Sequence, residues 1–151
     1  LWTLTGSSQV IKEPVSRDRT ASYPIELVYR LINMYSIYGD TVLDPFLGTG
    51  TTTLAGMLSG RNTIGYDIDK DIIGLLDDRI EGLVDISNSL FNKRLDDHVQ
   101  FIDGRLKSGK NIKHKNMNYD IGVTSKQETE IVIPRVKSIG LYDKTYKVQY
   151  K

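Results

Sequence analysis

The chain has 151 residues, 39% of them hydrophobic and 26% charged, enough for one ordinary buried core and so for one domain over residues 1–151. No apolar run approaches the ~18 residues of a membrane span, no secretory signal pattern is present, and zero cysteines exclude disulfides, thiolate metal sites and any cysteine nucleophile. The net charge of +1 hides an asymmetry: residues 105–151 carry eleven Lys or Arg against four acids, residues 1–104 nine against fifteen. A basic tail of this kind either meets nucleic-acid phosphates or forms a solvated surface. His98 and His114 lie far apart, without metal-ligand spacing, and read as surface residues; no metal site is expected. The lack of cysteine fits a cytoplasmic protein.

Residues 1–20 read as an irregular lead-in, with Gly6, Ser7, Ser8 and Pro14. Lys12, Arg17 and Arg19 are solvent-facing or within reach of phosphate. The start at Leu1, without methionine, is expected of a fragment or processed piece. Pro24 suits a first helical turn, and Glu26 favours the helix dipole there. Leu27, Val28, Leu31, Met34 and Tyr35 recur at helical spacing and are predicted to form its core face. A turn at Gly39 and Asp40 leads into a short apolar strand, Thr41, Val42 and Leu43.

The next nine residues organise the chain: Asp44, Pro45, Phe46, Leu47, Gly48, Thr49, Gly50, Thr51 and Thr52. They read as a tight turn between that strand and a helix ending at Gly60. The glycines allow a sharp turn and a close ligand approach, and the helix start presents amide donors to a polar, most naturally anionic, group. No Lys follows the last glycine, which disfavours a phosphate-cradling loop. Thr53 stands where a dinucleotide fingerprint has its third glycine. About twenty residues on, Asp67 is predicted to end the second strand, its carboxylate free for two ribose hydroxyls. A ribose without a pyrophosphate indicates a nucleoside such as S-adenosylmethionine.

Further on, a helix is predicted from about Asp69 past Ile80, burying Ile72, Ile73, Leu76, Ile80 and Leu83. Residues 88–97 read as a loop or frayed helix end, and residues 99–104 as a third strand ending in a turn. Residues 105–118 read as an exposed loop, and residues 121–123 and 131–133 as short strands. Tyr142, Tyr146 and Tyr150 alternate with polar residues in a last strand or hairpin. The basic segment 105–151 thus carries short strands.

Residues 21–69 resemble the cofactor half of the DNA amino-methyltransferases, and more narrowly the beta class, in which the target-base motif precedes the cofactor motif. The dense match covers about a third of the chain. The resemblance implies an α/β, Rossmann-like S-adenosylmethionine-dependent methyltransferase fold, three-layered with a mostly parallel sheet, and incomplete here. It implies a site-specific DNA methyltransferase, or its cofactor-binding half, of a restriction–modification system, acting on the exocyclic amine of cytosine or adenine. Asp44, Phe46, Gly48, Gly50 and Thr51 would shape the methionine side of S-adenosylmethionine, with Pro45, Thr49 and Thr52 also counted among the cofactor-binding residues. Asp67 would bind the ribose and Ile68 would pack on the adenine, with Asp103 near the adenine or a plain turn aspartate. Thr20, Ala21 and Ser22 occupy the place of a segment that holds the methionine end, although the histidine-proline pair common there is lacking.

Members of the family flip the target base of double-stranded DNA into a pocket and clamp its amine with a Ser- or Asp-Pro-Pro-Tyr motif. The four prolines here, Pro14, Pro24, Pro45 and Pro134, include no adjacent pair, so no catalytic residue is expected in this chain. Residues 120–125 resemble the strand that introduces the clamp, but Lys126, Gln127 and Glu128 follow it, and a lysine cannot accept a hydrogen bond from the amine. They read as an ordinary strand and turn. The clamp is expected from a missing N-terminal half or a second chain. Two other readings stand beside this one: an RNA amino-methyltransferase, and a non-catalytic cofactor-binding subunit that completes a partner.

Overall fold

The structure, a computed structural model, describes residues 23–151. The readings placed on Ser22, Thr20, Ala21 and the basic residues Lys12, Arg17 and Arg19 lie outside the described residues. Helix α1 (Ile25–Tyr35) starts behind Pro24 and leads by a turn at Gly39 into β1 (Thr41–Asp44). Helix α2 (Thr51–Ser59) follows, then β2 (Asn62–Gly65), which pairs in parallel with β1 from Thr41 opposite Asn62 to Asp44 opposite Gly65. This β1–α2–β2 crossover is the strand, turn and helix expected around the glycines. Helices α3 (Lys70–Glu81) and α4 (Leu83–Lys107) come next, then two antiparallel pairs: β3 (His114–Lys115) with β4 (Gly122–Val123), and β5 (Val136–Tyr142) with β6 (Thr145–Tyr150).

All nine residues of α2 are buried, as a helix covered on every side must be. Its neighbours supply Val28, Tyr29 and Ile32 from α1, Leu76 and Ile80 from α3, Leu83 from α4 and Val136 from β5. Arg61 fastens the end of α1 to this core: its guanidinium donates to the Ser36 hydroxyl (3.0 Å), the Ser36 carbonyl (2.6 Å) and the Asn33 side chain (3.2 Å). The terminal hairpin turns on Asp143 and Lys144, both at positive φ, the geometry that matches strand twist in a two-residue turn. It is tied down where the Tyr150 hydroxyl donates to the Met57 carbonyl at 2.7 Å and where the Ser87 hydroxyl accepts the Val136 amide at 2.8 Å.

Several expectations need correction. Of the mostly parallel sheet expected, the described residues form the parallel pair β1–β2; the other two of their three separate two-stranded sheets are antiparallel. Residues 88–97 and 99–104 are neither loop nor strand but the body of α4, a continuous helix of 25 residues. The alternation in residues 99–104 misleads because Ile102 alone is buried there, while Phe101 faces outward beneath Arg105 one turn on, 5.5 Å from its ring centre. Residues 131–133 are not a strand; the pairing begins at Val136. The core stripe of α1 is Val28, Tyr29 and Ile32, whereas Leu31, Met34 and Tyr35 are exposed. Of the α3 stripe, Leu76, Ile80 and Leu83 are buried as expected, with Leu83 opening α4. His98 is half-buried and bonds the Gly122 carbonyl at 2.8 Å, joining α4 to β4.

The Tyr150 anchor makes stability fall with alkali. Burial, aided by Tyr38 and opposed by Arg61, pushes its phenol up to about 12. Because the folded value lies above the unfolded one of ~10, Tyr150 stabilises the fold below pH ~10, and that contribution fades as pH rises towards 12. Urea unfolding across this window is expected to show a decline in wild type that is shallower in Tyr150→Phe; parallel declines would exclude Tyr150 as its source.

Candidate functional site

The carboxyl ends of β1 and β2 lie side by side, and the two turns leaving them are sewn together. The Tyr66 amide donates to the Asp44 carbonyl at 2.9 Å, and the Leu47 amide to the Tyr66 carbonyl at 2.8 Å. Leu47 is buried beneath this junction, and a Cβ on Gly65 would stand 2.5 Å from its Cδ1. Bare backbone at Gly65 is therefore what lets the turns close.

Within the first turn, Gly48 (φ 50°) and Gly50 (φ 77°) take left-handed conformations that cost other residues ~1–2 kcal/mol. Gly50 caps α2 without a side chain, and Leu76 of α3 packs directly behind it. Gly48 has open space where a Cβ would point: the nearest atom outside its chain neighbours is the Phe46 carbonyl at 3.9 Å. Phe46 is 86% exposed and Ile68 102%, so two large apolar side chains stand uncovered at this end. The reachable part of the loop is thus Phe46, Gly48 and Thr49, while Leu47, Thr51, Thr52 and Thr53 are buried.

Two carboxylates flank that surface. Asp44 accepts the Phe46 amide through Oδ1 at 3.0 Å, and its Oδ2 is buried without a hydrogen-bond partner. An orphaned carboxylate oxygen is costly and invites a donor. Asp67 stands two residues beyond the end of β2, and its carboxylate is not free as expected. It accepts the Gly48 amide at 2.7 Å through Oδ2 and the Asp69 amide at 2.9 Å through Oδ1. Those amides, Asp69 first and then Gly48, hold its carboxyl below the ordinary carboxylate value, outweighing a desolvation effect that raises it. Each oxygen keeps a second lone pair, so the group can still accept from hydroxyls.

The structure therefore brings together Asp44, Pro45, Phe46, Gly48, Thr49, Gly50, Thr51, Thr52, Asp67 and Ile68. It separates Asp103, which is an exposed residue of α4 rather than the end of a strand. Two contributors escaped the sequence reading. The Tyr23 hydroxyl lies 3.4 Å from that of Thr52, bringing the approach to α1 against the head of α2. Arg79 of α3 donates to the Thr49 carbonyl, to the Thr49 hydroxyl (2.9 Å) and to the Thr51 hydroxyl (3.2 Å). Its position was legible: three residues after Leu76, it shares the helix face that meets the glycine turn. Ser125 and Glu128, beyond the near-match to a clamp, form a reciprocal cap on the 3-10 turn Lys126–Glu128.

The profile of a family described as DNA methylase matches residues 1–77. Over 148 residues the chain is 47% identical to the type II methyltransferase M.MthZI of Methanothermobacter thermautotrophicus, an alignment covering 97% of this chain and 38% of that protein. It is 50% identical over 80 residues to the type II methyltransferase M.MjaI of Methanocaldococcus jannaschii, covering 53% of this chain and 26% of the relative. M.BglI of Bacillus subtilis, also a type II methyltransferase, is 35% identical over 80 residues, covering 53% and 23%. The chain thus spans less than two-fifths of the length of these relatives. No solved structure gives a significant match.

Proposed function

Because this chain belongs to the DNA methylase family, we propose that it is the cofactor-binding part of a type II DNA methyltransferase of a restriction–modification system, acting in the cytoplasm. The cofactor is S-adenosylmethionine, which supplies an activated methyl group for the exocyclic amine of cytosine or adenine. The observation that carries this reading is the joint formed by Asp67 and Gly48, which sets a carboxylate beside a side-chain-free loop at the carboxyl ends of two parallel strands.

The residues fit that cofactor. Asp67 accepts from the ribose hydroxyls with its remaining lone pairs, and exposed Ile68 offers an apolar surface to the adenine. The orphaned Oδ2 of Asp44 suits the ammonium of the methionine end, while Phe46, Gly48 and Thr49 line its approach. Pro45, Gly50, Thr51 and Thr52 set the shape of the turn.

The rest of the machinery lies outside this chain. Leu43 and Ile64 on the outward face of β1–β2 are 61% and 48% exposed, as befits a sheet that further strands and helices complete into three layers. Double-stranded DNA with a flipped base, and the Pro-Pro-Tyr clamp from another segment or a second chain, belong to that larger protein. The exposed Lys107, at the end of α4, and Lys110 and Lys113 after it suit DNA phosphates, while Lys115 is paired with Asp120. The 151 residues alone are expected to be catalytically silent.

The test is a calorimetric titration of the chain with S-adenosylmethionine, with ATP and NAD as controls, followed by a methyl-transfer assay on DNA. Saturable binding of S-adenosylmethionine, neither control binding and no transfer, is the expected result. Failure of a folded chain to bind, or binding of all three ligands alike, overturns the cofactor reading. Methyl transfer by the chain alone overturns the assignment of the clamp elsewhere.

A further inference from the structure

Arg79 makes an unusual set of contacts. Its side chain crosses from α3 to the glycine turn, and a single guanidinium nitrogen, Nη1, donates to three oxygens there: the Thr49 carbonyl, the Thr49 hydroxyl and the Thr51 hydroxyl. These residues flank Gly50, which has no side chain with which to cap α2. The helix that carries Arg79 is itself anchored at both levels of the turn: Leu76 lies behind Gly50, and Asp69, the N-cap of α3, donates its amide to Asp67.

The charge is equally uneven. Among the described residues no carboxylate lies within ion-pairing distance of Arg79. Its guanidinium is half-buried, and burial alone lowers its pKa from the ordinary value. A guanidinium remains charged in proteins and only donates, so this cation is held beside the positive end of α2 with neutral oxygens as its hydrogen-bond partners. The carboxylates of Asp44 and Asp67 at this loop are engaged by the Phe46, Gly48 and Asp69 amides, so the guanidinium and the helix end together favour a further anionic group on the side of Thr49 and Gly50.

We propose that Arg79 is the positioning residue of the glycine turn, holding Thr49 and Thr51 so that the loop receives the carboxylate-bearing, amino-acid end of the cofactor. This inference rests on the cofactor reading above. It separates two halves of one site: the nucleoside half stands on Asp67 and Ile68, held by the Gly48 and Asp69 amides, while the amino-acid half depends on Arg79.

The experiment compares wild type, Arg79→Met and Arg79→Lys, titrating each with S-adenosylmethionine and with adenosine, which lacks the amino-acid end. Backbone hydrogen exchange at Gly48, Thr49 and Gly50 is followed in the free proteins. For Arg79→Met we expect S-adenosylmethionine to bind at least ~10-fold more weakly while adenosine changes less than ~2-fold, with faster exchange at Thr49 and Gly50 and unchanged exchange within α2 and at Gly48, whose amide Asp67 holds. The lysine variant, which keeps an ammonium with three donors, should recover part of the lost affinity. Equal weakening of both ligands, or a general loss of protection through α2, would show a merely structural arginine and overturn the proposal. So would unchanged exchange at Thr49 and Gly50. A folded wild type that binds neither ligand removes the cofactor site, and this inference with it; a wild type that binds both while Arg79→Met matches it sinks this inference alone.

Discussion

Replacement of Asp67 by alanine is expected to weaken S-adenosylmethionine binding by roughly 100-fold, the largest single-residue effect on ligand affinity in this chain. Two losses combine. On the proposed cofactor reading the ribose hydroxyls would lose a charged acceptor, and the Gly48 and Asp69 amides, now bonded at 2.7 and 2.9 Å, are released. The second loss loosens the glycine turn even before a ligand arrives. Asp67→Asn separates the two, because its carboxamide keeps one acceptor for an amide but turns a donor towards the other. It should fold normally and bind with intermediate affinity. The pH dependence follows from the same contacts. The amides depress the folded value below the ordinary carboxylate value of 3.8, so the carboxylate persists through neutral and mildly acidic solution. Its contribution is complete above that ordinary value and is lost only as pH falls through the depressed one. Calorimetry from pH 7 down to 5 should therefore find no change attributable to Asp67. An Asp67→Ala protein that binds within threefold of wild type would move the ribose contact elsewhere.

How much of this was legible before the coordinates depended on what kind of signal each residue carried. The turn from Asp44 to Gly50 and the distant Asp67 were readable because their geometry is local: glycine conformations, a strand end and a fixed interval to a carboxylate. The coupling between them was not, since a hydrogen bond across nineteen residues leaves no periodic trace. The hairpin of β5 and β6 was legible from alternating tyrosines. The extent of α4 was not, although Leu83, Leu90, Phe91, Leu95 and Ile102 recur at helical spacing: the many polar residues between them obscure this sparse stripe, and the exposed Val99 and Phe101 favour strands. Tertiary support decided the matter: Leu83, Ser87 and Ile102 are buried on one side of a helix whose other faces stay wet. Asp103 went with that error, since a residue expected at a strand end turns out to ride an exposed helix face. In α1 the spacing predicted a helix but misjudged its inward direction, as Leu31, Met34 and Tyr35 fit the helical period as well as Val28, Tyr29 and Ile32 do. Which side turns inward was settled by α2, beyond the reach of a pattern within α1.

Gly50→Val is expected to be the most destabilising substitution at the site. The backbone there has φ of 77°, a conformation that costs a residue with a Cβ ~1–2 kcal/mol and a β-branched one more. The added Cβ would also stand 2.5 Å from Cδ1 of Leu76 and 3.4 Å from its Cγ. Leu76 is 8% exposed and belongs to the central core, so it cannot withdraw without disturbing its neighbours, an overpacking cost of ~1–3 kcal/mol. Together these give a loss of roughly 2–5 kcal/mol, a large share of the stability of a domain this size. Gly48→Ala is the control. It has a similar backbone demand at φ 50°, yet its Cβ would meet nothing closer than the Phe46 carbonyl at 3.9 Å. That variant should lose only ~1–2 kcal/mol in urea unfolding and remain folded, while its methyl group occupies space through which the ligand approaches the loop. The pair therefore separates what the two glycines do: Gly50 makes room for the core behind the turn, and Gly48 keeps open the side in front of it. Equal stability losses in the two variants would show that backbone strain alone governs both positions and that the packing of Leu76 against the turn is dispensable.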